Sequence, residues 1–296
     1  MSEIHRHNLK KGICYILIAW VFLAAAALFV RLDSPRVPIS INLFVMNVIG
    51  FLCTLPVIMR YGWRDLKTER KGLIAFRAAT GLIGFTFLFL SIQKISLTNA
   101  LLLNNTAPLI LPFIILLWLK VRIEPRLWLG IIIGFIGVCF ILKPGAGLLD
   151  LGAIYGLTAG FSLAFGMVAV RLLTFTEKHH TVLFYYFFLP ALVTAPFAFY
   201  AWQPIGFYDF MYLIFIGLGA FFGQLFLIKA FHYAKAAHIG PFNYVGVLYG
   251  FILDAVFFQH IPDIYSMIGA VFVIGGGVLT ILFSKPPPSA PAINPK

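Results

Sequence analysis

Acidic side chains are scarce in this 296-residue sequence: ten Asp and Glu in all, with charged residues of both signs making up only 11%. Soluble domains carry roughly 25%. So little charge cannot clothe a globule in water, which excludes an ordinary soluble fold. Cysteine is sparser still, at three. Cys14, Cys53 and Cys139 all lie inside apolar runs and form no C-x-x-C, so neither a disulfide framework nor a zinc site is indicated, and no metal is expected. The phosphate-binding pattern G-x-x-x-x-G-K-[ST] is missing, as are H-E-x-x-H and G-x-S-x-G. ATP-driven transport is therefore not encoded, and no cofactor is expected. Ten-residue stretches of alternating polarity, the mark of a membrane barrel, are also lacking. An open sheet would leave backbone groups unpaired in lipid.

What is present is apolar. Hydrophobic residues reach 61%, Phe alone contributes 32, and the mean hydropathy is +0.97. A bilayer core of about 30 Å needs about 20 apolar residues in a helix. Segments 12–30, 39–59, 72–92, 97–119, 127–142, 152–174, 182–201, 210–231, 237–258 and 264–283 qualify or nearly do, the fifth being short. The expected fold is an all-α polytopic membrane protein of ten transmembrane helices. The opening MSEIHRHNLKKG has the look of a signal-peptide n-region, but no small-residue cleavage site follows, so the first run reads as a retained span.

The net charge is +12, and in a soluble chain this would suggest nucleic acid. Here the basic residues fall mostly between apolar runs, which excludes that partner. With the N-terminus inside, sixteen Lys and Arg lie in inside segments and four in outside loops. The positive-inside rule then places both termini in the cytoplasm.

The chain repeats itself. GICYILIAWVFLAAAALFVRL (12–32) and GAIYGLTAGFSLAFGMVAVRL (152–172) share nine of 21 positions, among them Gly12/Gly152, Tyr15/Tyr155 and Arg31/Arg171. The register continues through Thr54/Thr194 and Pro56/Pro196. One residue shorter, it runs through Gly84/Gly223, Asn104/Asn243 and Gly137/Gly276. Each half has five spans. Five is odd, so the second half enters the membrane from the opposite side, and the halves form two inverted five-helix repeats. The expected divisions are a cytoplasmic N-tail (1–11), a first repeat (12–143), a second repeat (152–283) and a disordered Pro-rich tail (284–296). Inverted repeats recur in secondary transporters, with substrate held near the midplane between the halves.

Several stretches resemble the drug/metabolite transporter superfamily, in particular its ten-span EamA-type members. These are IAFRAATGLIGF at the third span, LNNTAPLILPFI and GIIIGFIGVCFILKPG in the fourth and fifth, and IKAFHYAKAAHIGPFNY with IPDIYSMIGAVFVIGGG in the second half. The second-half stretches look like a subgroup that includes metabolite and S-adenosylmethionine carriers. The resemblance covers nearly the whole chain. It implies a small-metabolite carrier of the cell inner membrane, with a cavity bounded by the first, third, fourth, sixth, eighth and ninth spans. The chain departs from the family where Glu often follows the fourth and ninth spans: Val121 and His260 stand there, with Glu124 and Asp263 three residues later.

Ionisable and amide groups inside the spans are the candidate substrate ligands, since at depth they face a cavity or a partner. Asp254 lies about 17 residues into its span, roughly 26 Å deep. It either binds protons or a cationic group, or caps a helix end beside water. Arg77 and Lys229 could hold a carboxylate or phosphate, or snorkel to the interface. The symmetry mates Asn104 and Asn243, with their neighbours Asn105 and Tyr244, could bond substrate or join helices. Gln224 and Trp20 fall near mid-span, and a buried indole N–H needs an acceptor. His232 and His238 read as interfacial polar residues. Pro108, Pro112 and Pro241 interrupt helices and would suit gating, or serve packing.

These features point to a secondary transporter of a small organic metabolite (amino acid-like, amphipathic or S-adenosylmethionine-like), working by alternating access. Its partners would be that metabolite and the lipid bilayer. A membrane-embedded enzyme would need catalytic groups gathered at one depth, whereas here they are few and scattered. A selective channel needs rings of charges or carbonyls. One chain shows none, although a homodimer could make one.

Overall fold

The computed structural model describes residues 9–33, 36–62, 66–119, 125–142, 150–173, 176–233 and 240–283. Most of the expected N-tail, all of the Pro-rich tail and His238 lie outside them, as does the side chain of His232. Among the described residues all regular structure is helical: α1 (Leu9–Asp33), α2 (Ile39–Tyr61), α3 (Lys71–Lys94), α4 (Leu97–Asn104), α5 (Ala107–Leu119), α6 (Leu127–Leu142), α7 (Leu151–Leu173), α8 (His179–Tyr200), α9 (Phe207–Tyr233), a 3₁₀ turn (Gly240–Tyr244), α10 (Val245–Phe258) and α11 (Ile264–Phe283). Eight segments are long and apolar enough to cross a membrane, and Leu127–Ile141 and Phe242–Phe258 are shorter apolar helices. Met59, Leu117, Phe197, Tyr200, Val256 and Val271 are all more than 60% exposed. Apolar exposure on this scale suits lipid rather than water.

Helices pair as an inverted repeat requires. The most extensive contacts are α1 with α9, α6 with α11, α3 with α7, and α2 with α8. Exchanging the halves turns α1–α9 into α7–α3 and leaves α2–α8 and α6–α11 unchanged. Each of these pairs joins one half to the other, so the core is the seam between repeats. Phe89, Phe187, Ile92, Leu97 and Leu101 are buried there. Small residues let backbones touch: a Cβ on Gly276 would lie 2.3 Å from the Gly134 amide nitrogen. Such approach drives helix association where lipid is as apolar as leucine.

The fourth and ninth spans are not continuous helices. The fourth breaks between α4 and α5 at Asn105–Thr106. The ninth begins as the 3₁₀ turn and becomes α10 at Tyr244–Val245. These irregularities stand 139 residues apart, the repeat offset. Pro108 explains the first break. It lacks the N–H that would bond the Asn104 carbonyl, and it sits in the first turn of α5, where that loss is tolerated. Side chains hold the break: Asn105 Nδ2 donates to the Leu101 carbonyl (2.9 Å) and Thr106 Oγ1 to the Leu103 carbonyl (2.7 Å). Pro108 therefore starts a helix rather than bending one. Pro112 lies within α5, and Pro241 lies in the 3₁₀ turn.

Candidate functional site

Buried polar residues gather on the seam, in the half of the bundle nearer Leu9. Trp20 on α1 donates its Nε1–H to Asn243 Oδ1 at 3.2 Å, and both are buried. Gly246 makes room for the indole, since a Cβ there would sit 2.1 Å from the ring. The Leu23 side chain and the Ala19 carbonyl pack on Gly223 of α9, which brings this stretch of α1 level with Gln224. Gln224 Oε1 accepts from Arg77 Nη2 at 3.4 Å. The Arg77 guanidinium also lies 4.1 Å from the Tyr186 ring centroid, a cation–π contact. Trp20 and Arg77 belong to the first half; Asn243, Gln224 and Tyr186 belong to the second.

Arg77 is the unusual member. It is only 9% exposed, and its Nε has no hydrogen-bond partner. Among the described residues no carboxylate forms an ion pair with it. Gly166 and Thr80 border it: a Cβ on Gly166 would lie 3.4 Å from Arg77 Nη1, and Thr80 Oγ1 donates to the Arg77 carbonyl. A buried guanidinium without a counter-ion is suited to receive one, because its fork of N–H donors matches a carboxylate or phosphate.

The two halves differ at the place related to Trp20. Gly160 stands there, and a Cβ on it would approach the Leu103 carbonyl oxygen to 2.7 Å. The broken span thus packs directly on α7. Asn104, the mate of Asn243, is buried and its amide makes no hydrogen bond to described residues. The Tyr244 hydroxyl points at Gly277 and is likewise without a partner.

Two expected ligands are placed elsewhere. Asp254 is fully buried and serves as a cap. It accepts from the Leu97 amide (3.2 Å), the Thr98 amide (2.7 Å) and the Thr98 hydroxyl (2.7 Å), at the N-terminus of α4. Arg31 lies 3.9 Å away. The carboxylate meets the orphan N–H groups and positive end of that helix dipole. It caps a neighbouring helix inside the bundle, not its own end beside water. Lys229 is exposed, with its ammonium 5.5 Å from the Phe226 ring centroid and 5.9 Å from that of Tyr15. Five residues separate it from Gln224, which turns it about 140° around α9 and away from the Arg77 group. Tyr186 escaped the sequence reading because its repeat mate, Met46, is apolar. The available signal was a tyrosine inside an otherwise apolar span, whose hydroxyl needs a partner.

A helical bundle of two inverted repeats with a polar seam defines a multi-pass membrane transporter. The EamA-like transporter family profile matches twice, over residues 10–143 and 150–282, and the chain belongs to that family. The S-adenosylmethionine uptake transporter of Rickettsia prowazekii is 24% identical over 274 residues, 93% of each chain. The pseudopaline exporter CntI of Pseudomonas aeruginosa is 24% identical over 273 residues, 90% of this chain and 94% of that one. A solved crystal structure superposes with a TM-score of 0.65 at 16% identity, covering 91% of this chain and 96% of its own, which bears on the fold alone. The protein is a small-molecule transporter of the drug/metabolite transporter superfamily, not an enzyme.

Proposed function

We propose that this chain is a secondary carrier that moves a small metabolite bearing a carboxylate or comparable anionic group across the cell inner membrane by alternating access. Arg77 is the observation that carries this reading: a buried guanidinium on the seam, touched by Gln224 and Tyr186 of the other half and lacking a carboxylate. Trp20, Asn243 and Asn104 supply further polar groups along the same seam. A ligand bridging them binds both halves at once, so its hold depends on how the halves sit. That dependence is what a carrier needs for substrate to bias its two states. One chain provides both halves, so transport does not require a homodimer.

The excess of basic residues in the inside segments supports cytoplasmic termini. An amino acid-like substrate, as in the S-adenosylmethionine carrier among the relatives, fits the Arg77 group. The test is counterflow in proteoliposomes, using radiolabelled S-adenosylmethionine and a panel of anionic, zwitterionic and cationic metabolites. Saturable exchange of a carboxylate-bearing compound, lost in Arg77→Gln, is expected. Transport of purely cationic compounds with Arg77→Gln unimpaired would refute the assignment.

A further inference from the structure

The second buried polar cluster lies at the far end of α1. Asp33 is fully buried, and neither carboxyl oxygen has a hydrogen-bond partner. Asn42 of α2 faces it, is also fully buried, and has neither amide atom in a formed hydrogen bond. The charged groups acting on Asp33 are Arg36, from the turn before α2, and Asp209, from the first turn of α9. Arg36 is engaged with Asp209, Nη1 to Oδ1 at 3.1 Å, and its carbonyl accepts from Gln203 Nε2. This Arg36–Asp209 pair ties the first half to the second.

Counting donors decides what the cluster needs. An ionised Asp33 only accepts, so the Asn42 carbonyl oxygen would have no donor from it, and a carboxylate would stay buried without hydrogen bonds. A neutral Asp33 would be able to donate O–H to Asn42 Oδ1 and to accept from Asn42 Nδ2. These two reciprocal hydrogen bonds would satisfy four atoms otherwise left unpaired.

The far-end pair has a counterpart at the near end. There Thr68 Oγ1 donates to Glu177 Oε1 at 2.7 Å, joining the segment before α3 to the turn before α8. These segments are the repeat equivalents of the start of α9 and the turn before α2. Each end of the bundle thus carries a polar side-chain latch between halves, and the far one has the buried Asp33 beside it.

We propose that Asp33 is a proton-binding site whose burial favours the neutral form, and that its charge controls the Arg36–Asp209 latch. The inference rests on the alternating-access reading for its consequence, not for the proton itself. In the binding step the Asp33 carboxylate takes one proton from solvent and becomes a neutral acid; no other bond changes. Neutral Asp33 leaves Arg36 to Asp209, and the latch is shut. Ionised Asp33 competes with Asp209 for the same guanidinium, which loosens the far end. Proton occupancy and closure therefore move together, as a proton-coupled carrier requires.

Infrared spectroscopy of reconstituted protein at pH 5 tests the proton directly. Wild type should show a protonated-carboxyl carbonyl band that is lost in Asp33→Asn and shifted in Asn42→Leu. Thermal unfolding of the near-isosteric Asp33→Asn checks that it is folded. A spectrum in which Asp33→Asn removes no such band overturns the proposal, whatever the transport result. In proteoliposomes loaded with S-adenosylmethionine, Asp33→Asn should keep counterflow and lose accumulation driven by a pH gradient. Gradient-driven accumulation that survives in Asp33→Asn overturns the coupling role. Absence of counterflow in wild type counts instead against S-adenosylmethionine exchange, and the infrared result still decides Asp33.

Discussion

Two charged residues of similar burial have opposite fates, and the difference lies in their partners. Asp254 is surrounded by donors from the start of α4, so its charge is used up in holding that helix. Asp254→Ala should lower stability by about 1–3 kcal/mol, because it leaves buried N–H groups unpaired. Thermal unfolding in detergent measures this. Thr98→Val, which removes one of the donors, should cost less. Arg77 has a single long hydrogen bond and an aromatic face, so its donors remain for a ligand. If each charge-assisted hydrogen bond contributes about 1.5–3 kcal/mol, Arg77→Gln should weaken substrate binding by roughly tenfold or more. A competition series in counterflow reads that loss. Arg77→Lys should recover only part of the affinity, since an ammonium cannot form the bidentate fork.

At the scale of elements, the two broken spans matter most. The α4–α5 break packs on α7 through Gly160, where any side chain would meet the Leu103 carbonyl, a group that cannot move without disturbing the break. Gly160→Leu is expected to destabilise by about 1–3 kcal/mol, the usual range for overpacking, and to reduce transport. Gly275 on α11 is the control: a Cβ there meets nothing within 4 Å. Gly275→Ala should be neutral or stabilising by up to about 1 kcal/mol, because alanine favours helix. Unfolding temperatures of the two variants, measured together, separate packing from helix propensity. Equal losses at both positions would show that the break does not depend on close contact with α7.

For the whole molecule, the pairing of helices across the halves predicts two opposed latches. The cysteine pair Arg36→Cys with Asp209→Cys spans the far end, and Thr68→Cys with Glu177→Cys spans the near end. Bridging either pair with a short bis-methanethiosulfonate reagent should stop transport, and reduction should restore it, because a carrier must open each end in turn. A channel with a fixed path would conduct with one or both pairs linked. Lys67 and Lys178 flank the near-end pair on the chain, so both should react with an impermeant amine reagent from one side of the membrane only.

Much of the architecture was legible in the residues before any coordinates. Span limits follow from apolar length, since lipid tolerates backbone only when it is paired within the helix. Asn104 and Asn243 in register mark the place where both irregular spans change conformation. Pro108 announced a break, although not that the helix restarts immediately after it. Inverted pairing follows from an odd number of spans per repeat.

Composition and spacing alone determined a membrane bundle of two opposed halves with polar residues at matching depths, because solvent and chain length act on every residue alike. Only the tertiary structure decided which polar residues are spent and which are free. That depends on neighbours distant in sequence: Thr98 claims Asp254, Gln224 and Tyr186 frame Arg77, and Asn42 faces Asp33. A charge in a span costs the same wherever it is written. What offsets that cost is set by the helix packed against it.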